Sequence, residues 1–260
     1  MSETNRDDWD IHWEDYGEGA SLNPAQEYRR RLIVKLLGLR GGGSGVRLLD
    51  IGSGQGDLAA EIRASFPAAE ILGLELSHSG VEISRAKVPD ARFVQCNLLE
   101  QTEPPVDLHH WATHAVCSEV IEHVDDPVLL LSSAREYMRP ECHLVVTAPG
   151  GPMSAFDKHI GHRKHFRPDE IVGLLQQAGY RAEFAGKAGF PFFNLYRCAV
   201  ILRGQKLVED ISAGNNSPGT RMARFVMAVF HLLFRVNLQA SPWGWQMVAK
   251  AMPLSRSNNG

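Results

Sequence analysis

The 260-residue sequence predicts an α/β protein: an open, doubly wound, mostly parallel sheet of seven strands, with an N-terminal arm and a C-terminal helical extension. Three observations predict it. Short apolar runs alternate with helix-period segments along most of the chain. The first run, Leu48-Leu49-Asp50-Ile51, passes directly into Gly52-Ser53-Gly54-Gln55-Gly56-Asp57 and then Leu58-Ala59-Ala60-Glu61-Ile62, the pattern of strand, tight turn and helix N-terminus. A second run, Ala69 to Ser77, carries Glu75 at its carboxyl end, one strand, helix and strand beyond the glycines.

The elements follow in order. Residues 25–37 repeat apolar and basic side chains at helical spacing, 46–51 form the first strand and 57–64 a helix. Residues 70–75 are the second strand, 78–86 a helix, 92–96 the third strand and 112–117 the fourth. A helix over 126–138, a fifth strand over 142–147, a helix over 168–178 and a sixth strand over 180–186 complete the alternation. The last strand is expected at 196–203, as an antiparallel hairpin partner of the sixth. Residues 41–45 and 212–219 are the clearest flexible segments, and there is no internal repeat. The expected organisation is an arm and helix over 1–40, a core over 41–204 and a helical extension over 205–260.

With 44% hydrophobic and 22% charged residues, the chain can bury one large core. A net charge of -3 argues against a general polyanion binder, so no nucleic-acid partner is expected. Cys96, Cys117, Cys142 and Cys198 are widely separated in or beside apolar segments and read as buried thiols of a reducing, cytoplasmic compartment. The polar start, Met1 to Asp10, does not read as a signal peptide.

The glycine corner suits a nucleotide-like ligand. Glycine permits close backbone approach and positive φ, and the following helix presents unpaired N–H groups to an anion. Glu75 is placed to accept both hydroxyls of a ribose. An acid opens the glycine pattern and no lysine followed by serine or threonine closes it, so neither a dinucleotide fingerprint nor a phosphate-clamping loop fits.

On Asp50, Gly52, Gly54, Gly56 and Glu75 the chain resembles the class I S-adenosylmethionine-dependent methyltransferases, in their small-molecule branch. The resemblance implies a Rossmann-like methyltransferase fold, with S-adenosyl-L-methionine contacted by these residues and by Ser53. It sets Asn97 where an aspartate commonly meets the adenine amine. Asn97 either accepts that bond or caps its turn; Leu76 and Leu98 are either apolar walls for the adenosine or core. Thr113 also departs from the family pattern, standing where an acid often begins the fourth strand.

After the fourth strand comes Glu119-Val120-Ile121-Glu122-His123. At i, i+3 and i+4 its two carboxylates and imidazole share one face of a helical turn and suit a divalent cation such as Mg²⁺. The segment is locally similar to ubiquinone-pathway O-methyltransferases and small-RNA 2′-O-methyltransferases, where a metal is thought to acidify the attacking hydroxyl. The other reading is a loop-fixing or substrate-contacting histidine.

Residues 155–170 crowd three histidines, two lysines and two arginines into the loop after the fifth strand, at the sheet edge where ligands bind. Gly161, His162, His165 and Phe166 resemble the family's Gly-His-x-x-His-Phe signature. His162 is the expected base, with His123, Glu119 and Glu122 as orienting groups or metal ligands, and His165 as its support.

Tyr16, Tyr28 and Arg29 belong to an arm that resembles the cofactor cover of small-molecule methyltransferases, or simply pack it onto the sheet. Residues 222–235 are nearly continuously apolar but too short to span a bilayer. They read as a lid first, a homodimer surface second and a membrane contact third. The expected function is methyl transfer to an oxygen of a small, partly apolar metabolite. N-methylation, RNA 2′-O-methylation and a non-catalytic cofactor-binding scaffold are the alternatives.

Overall fold

Period-two alternation along β1 (Arg47–Ile51) sends Leu48 to one face of the sheet and Leu49 to the other, and two cores grow from this split. In the computed structural model, residues 9–10, 23–212 and 221–254 are described, with side chains for 9–10, 23–203 and 227–254. On the Leu48 side, Ile71, Val116 and Val145 of the sheet meet helices α1 (Pro24–Leu37), α2 (Asp57–Ser65) and α3 (His78–Lys87) through Ile33, Leu58, Ile62 and Val81. On the Leu49 side, Leu72, Ala115 and Leu144 meet α4 (Pro127–Arg135) and α6 (Pro168–Gln177) through Leu131, Ile171 and Leu175. Two adjacent leucines, each fully buried, thus fix the doubly wound architecture.

The other strands are β2 (Glu70–Glu75), β3 (Arg92–Gln95), β4 (Ala112–Ser118), β5 (Met138–Pro149), β6 (Tyr180–Ala188) and β7 (Gln246–Pro253). They form one seven-stranded sheet ordered β3-β2-β1-β4-β5-β7-β6. The pairs from β3 to β5 are parallel, and β7 runs antiparallel to both β5 and β6. The seven-stranded, mostly parallel sheet agrees with the sequence. The order reverses between β1 and β4, where Asp50 pairs in register with Gly73 on one side and Val116 on the other.

The position of the last strand is a correction. The expected strand at 196–203 lies inside helix α7 (Phe192–Ser212), and β7 is supplied from residues 246–253, within the extension expected to be helical. The run Cys198-Ala199-Val200-Ile201 has strand-like composition. Its burial is helical instead: Phe193 is buried while Leu195 and Leu202 are 55% and 87% exposed. Strand β7 has a single β-branched residue, Val248, and sits inside the sheet, so its alanines and methionines show no alternation.

Helix α1 starts at Asn23, whose side chain accepts from Ala25 N at 2.9 Å, and ends at Gly38 with φ +65°. Its Tyr28 and Leu32 pack with Phe193, Phe234 and Val248, so the N- and C-terminal parts of the chain share a third cluster. Helix α8 (Arg221–Leu233) follows α7, and among the described residues no helix is long and apolar enough to cross a membrane. Cys96, Cys117 and Cys142 are buried and Cys198 half-buried, all as free thiols.

Candidate active site

The glycine corner is stitched to β2. Gly52 N and Ser53 N donate to Leu74 O at 2.8 and 3.1 Å. The two oxygens of Glu75 accept from Gly54 N at 2.7 Å and Ser77 N at 3.0 Å. Gly52 has φ +67°, and a Cβ there would lie 2.5 Å from Val120 Cγ2, so glycine is required by conformation and by the contact with the turn after β4. Gly54 and Gly56 also have positive φ, and helix α2 starts at the latter.

Two polar groups in this corner are buried without hydrogen-bond partners among the described residues, Asp50 Oδ2 and Ser53 Oγ. Burial, and then the charge of Glu75, raise the Asp50 carboxyl to about 7. The cofactor-side expectations separate here. Asn97 Oδ1 accepts from Leu99 N at 3.1 Å, the turn-capping geometry, and Leu98 is in the core with 5% exposure. Leu76 is 44% exposed beside Glu75. Tyr28 lies between Phe193 and Phe234, with ring centroids 5.6 Å from each. Tyr16 lies outside the described residues.

Glu119, Glu122 and His123 do not share a helical face. Residues 119–123 form a turn in which His123 N donates to Val120 O at 3.0 Å, and Glu119 has φ +56°. This conformation turns Glu119 toward α1 and β7. Its carboxylate meets Arg29 Nη2 at 3.0 Å, Gln246 Nε2 at 2.9 Å and Thr147 Oγ1 at 3.1 Å. Arg29 Nε in turn donates to Gln246 Oε1 at 3.2 Å, so Arg29 and Glu119 bind helix α1 to strand β7.

Glu122 has no such partners among the described residues. It is fully buried, and neither carboxylate oxygen has a hydrogen-bond partner among the described residues. Burial, then the charge of Glu119, push its carboxyl well above the usual range. Ligand atoms of Glu122, His123 and His162 lie within 4.8 Å of one another, as do those of Asp157, His162 and His165. His162 is common to both groups and Glu119 belongs to neither. The His123 ring meets those of His162 and Trp9 edge-on, each at 4.7 Å.

The proton positions on the histidines follow from one carbonyl. Gly151 O can only accept, so His165 Nδ1, at 3.0 Å, carries the hydrogen. Neutral His165 then offers a lone pair on Nε2, and His162 Nδ1 donates to it across 3.2 Å. The tautomer inferred for neutral His162 therefore keeps its lone pair on Nε2. Burial lowers the His162 imidazolium to about 4, against the opposing charge of Asp157, and also lowers that of His165.

Asp157 and Arg197 escaped the sequence reading. Asp157 opens helix α5 (Ala155–His159) in a reciprocal cap with Ser154, and Arg197 of α7 holds its two oxygens at 2.9 and 2.7 Å. The Ser-x-x-Asp spacing at 154–157 signalled the cap. Nothing in sequence signalled the arginine, which stands alone in an apolar run.

A family model described as a methyltransferase domain matches residues 25–183. A ubiquinone/menaquinone biosynthesis C-methyltransferase of Citrifermentans bemidjiense is 42% identical over 64 residues, 24% of this chain and only 26% of that relative's length. A ubiquinone biosynthesis O-methyltransferase of Photobacterium profundum is 23% identical over 181 residues, 64% of this chain and 75% of the relative. The structure of a geranyl diphosphate C-methyltransferase from Streptomyces coelicolor A3(2), solved with Mg²⁺, geranyl diphosphate and S-adenosyl-L-homocysteine, superimposes with a TM-score of 0.54. It is 15% identical and the match covers 88% of this chain and 79% of that one, a likeness of fold.

Proposed function

Because the chain belongs to the methyltransferase domain family and is an S-adenosylmethionine-dependent methyltransferase, we propose that it methylates a hydroxyl oxygen of a small, partly apolar metabolite. The observation that carries the oxygen acceptor is the inferred His165 to His162 tautomer chain, which presents a neutral imidazole lone pair on His162 Nε2. A hydroxyl must lose its proton as it is methylated, whereas an amine can lose one to solvent beforehand.

The glycine corner fits the cofactor by its own chemistry: positive-φ glycines lie beside the unsatisfied Asp50 Oδ2 and Ser53 Oγ, with the Glu75 carboxylate behind them. Bound S-adenosylmethionine supplies a sulfonium methyl, whose bond to sulfur breaks with the electron pair left on sulfur. His162 Nε2 accepts the hydroxyl proton, freeing an oxygen lone pair for the new C–O bond. Asp157, with a carboxylate oxygen 4.0 Å from His162 Nδ1, favours the imidazolium so formed. Trp9 and the His123 ring cover this end of the site and help to exclude water.

A second reading rests on Glu122. A carboxylate fully buried and unpaired among the described residues, with His123 and His162 in reach, has the donor set of a divalent-cation site such as one for Mg²⁺. Glu119 then serves as the anchor for Arg29 and not as a ligand.

One set of measurements separates these readings. S-adenosylhomocysteine is titrated calorimetrically into wild type, His162→Ala and Glu122→Gln, and radiolabelled methyl transfer is followed on matched phenols and anilines with and without Mg²⁺. We expect S-adenosylhomocysteine to bind all three proteins, and phenol turnover to fall on the order of 100-fold or more in His162→Ala. Labelling of anilines alone overturns the oxygen acceptor. Mg²⁺-dependent turnover abolished in Glu122→Gln selects the metal-assisted form, and absence of S-adenosylhomocysteine binding refutes the cofactor assignment.

A further inference from the structure

A cavity of about 600 Å³ lies beside the histidine segment, with His165 but not His162 in its wall. A volume of this size suits a small organic ligand. The cavity wall also includes Lys187 at the end of β6, Phe190, and the loop that delivers β7, Trp243-Gly244-Trp245. Phe190 and Trp243 stand 5.3 Å apart between ring centroids, inclined at 56°. Trp243 is 64% exposed, an apolar surface left open at the cavity.

The tryptophan loop is held in place before any ligand arrives. Asn194 donates Nδ2 to Trp243 O at 2.7 Å and accepts from Trp245 N at 3.0 Å. A Cβ on Gly244 would lie 2.2 Å from Ala188 O, and one on Gly151 would lie 2.7 Å from the Trp245 ring. Gly151 is also the residue whose carbonyl sets the His165 tautomer. The cavity wall and the histidine chain therefore share one residue, Gly151.

The charge of this wall is one-sided. Lys187 and Arg167 line it and no carboxylate does among the described residues. Arg167 is already met by Asp169 and Glu170. Lys187 is half-buried and has no ion-pair partner among the described residues, which leaves one uncompensated cation beside the aromatic rings. An ammonium without an ion-pair partner selects an anion, and the rings select a flat apolar body.

We propose that this cavity binds an anionic aromatic compound, its ring on Phe190 and Trp243 and its acid group on Lys187. That the bound compound is the methyl acceptor rests on the function proposed above; the preference for an aromatic anion rests on the cavity alone.

The test compares two fluorescent probes with the same ring system, 1-anilinonaphthalene-8-sulfonate and the uncharged N-phenyl-1-naphthylamine, on wild type, Lys187→Gln and Trp243→Ala. We expect Lys187→Gln to weaken the sulfonate by about tenfold or more, the loss of one charge-assisted hydrogen bond, and to leave the uncharged probe within about twofold. Trp243→Ala is expected to weaken both. Sulfonate affinity unchanged in Lys187→Gln, or both probes unaffected by Trp243→Ala, overturns the proposal. S-adenosylhomocysteine titration of the same proteins reports the fold and the cofactor site separately. Its failure in wild type sinks the methyl-transfer reading, while the probe results still decide the aromatic-anion preference.

Discussion

Asp50 shows how a residue at the ligand edge trades stability for a site. It is 3% exposed at the end of β1, one oxygen has no partner among the described residues, and Glu75 stands near it. Burial and that neighbour raise its carboxyl from 3.8 to about 7. The folded protein therefore holds a proton that the unfolded chain has released between these two values, so this group makes the fold less stable as pH rises from about 4 through about 7. Asp50→Asn mimics the protonated form and should remove that loss, at most about 4 kcal/mol by pH 8. Urea unfolding at pH 5.5 and pH 8 checks it: wild type should lose stability between the two and Asp50→Asn should lose clearly less. Equal losses would mean that Asp50 is already paired or solvated. Burial raises the neighbouring Glu75 carboxyl as well, against the backbone N–H groups of Ser77 and Gly54 that meet its carboxylate.

At the level of elements, the histidine segment is held by a helix that packs from outside it. Arg197 on α7 grips both oxygens of Asp157 at the start of α5, and Asp157 lies 4.0 and 3.8 Å from His162 and His165. Burial of Asp157 works to raise its carboxyl, but Arg197 and Ser154 outweigh it and hold the group at about 2. A depressed carboxyl stabilises the fold above its unfolded value and loses that contribution as pH falls toward its folded one. Arg197→Met should therefore shift acid unfolding, followed by tryptophan fluorescence, to higher pH than wild type. An unshifted acid limb would show that α7 does not anchor α5. The signature Gly161, His162, His165, Phe166 was legible in sequence because it is local, and so was the corner from Asp50 to Gly56. The turn at 119–123 was misread because helical spacing was assumed where Glu119 adopts positive φ, a conformation that only its contacts with Arg29, Thr147 and Gln246 explain. Those partners lie up to 127 positions away, beyond any local pattern.

The whole molecule is closed by its C-terminal part. Sequence periodicity located the strands from β1 to β6, because each is a distinct apolar run between helices, but it assigned the last strand to residues 196–203 and treated 205–260 as an appendage. Burial on both faces removes the alternation that marks a strand, and Ala and Met carry little strand preference, so β7 was invisible until its neighbours were known. Its position changes what the extension does. β7 pairs with β5 from Leu144 to Pro149 and with β6 from Tyr180 to Ala188, so among the described residues it is the strand that joins β6 to the rest of the sheet. It also carries Gln246, which binds Glu119 and Arg29, and the preceding loop carries Trp243 and Trp245 of the cavity. A chain ending at residue 240 should therefore lose more than a lid. It exposes the ladder groups of β5 and β6 and opens the third cluster at Val248, a combination that favours edge-to-edge association over folding. Expression of residues 1–240 should give aggregated protein that binds no S-adenosylhomocysteine, whereas a chain ending at 254 keeps every pair of β7 and should bind it as the full chain does. A soluble, cooperative, cofactor-binding 1–240 fragment would show that the five-stranded part from β3 to β5 folds by itself. In that case β6 and β7 would belong to the acceptor side of the protein, and their loss would be read in acceptor binding and turnover alone.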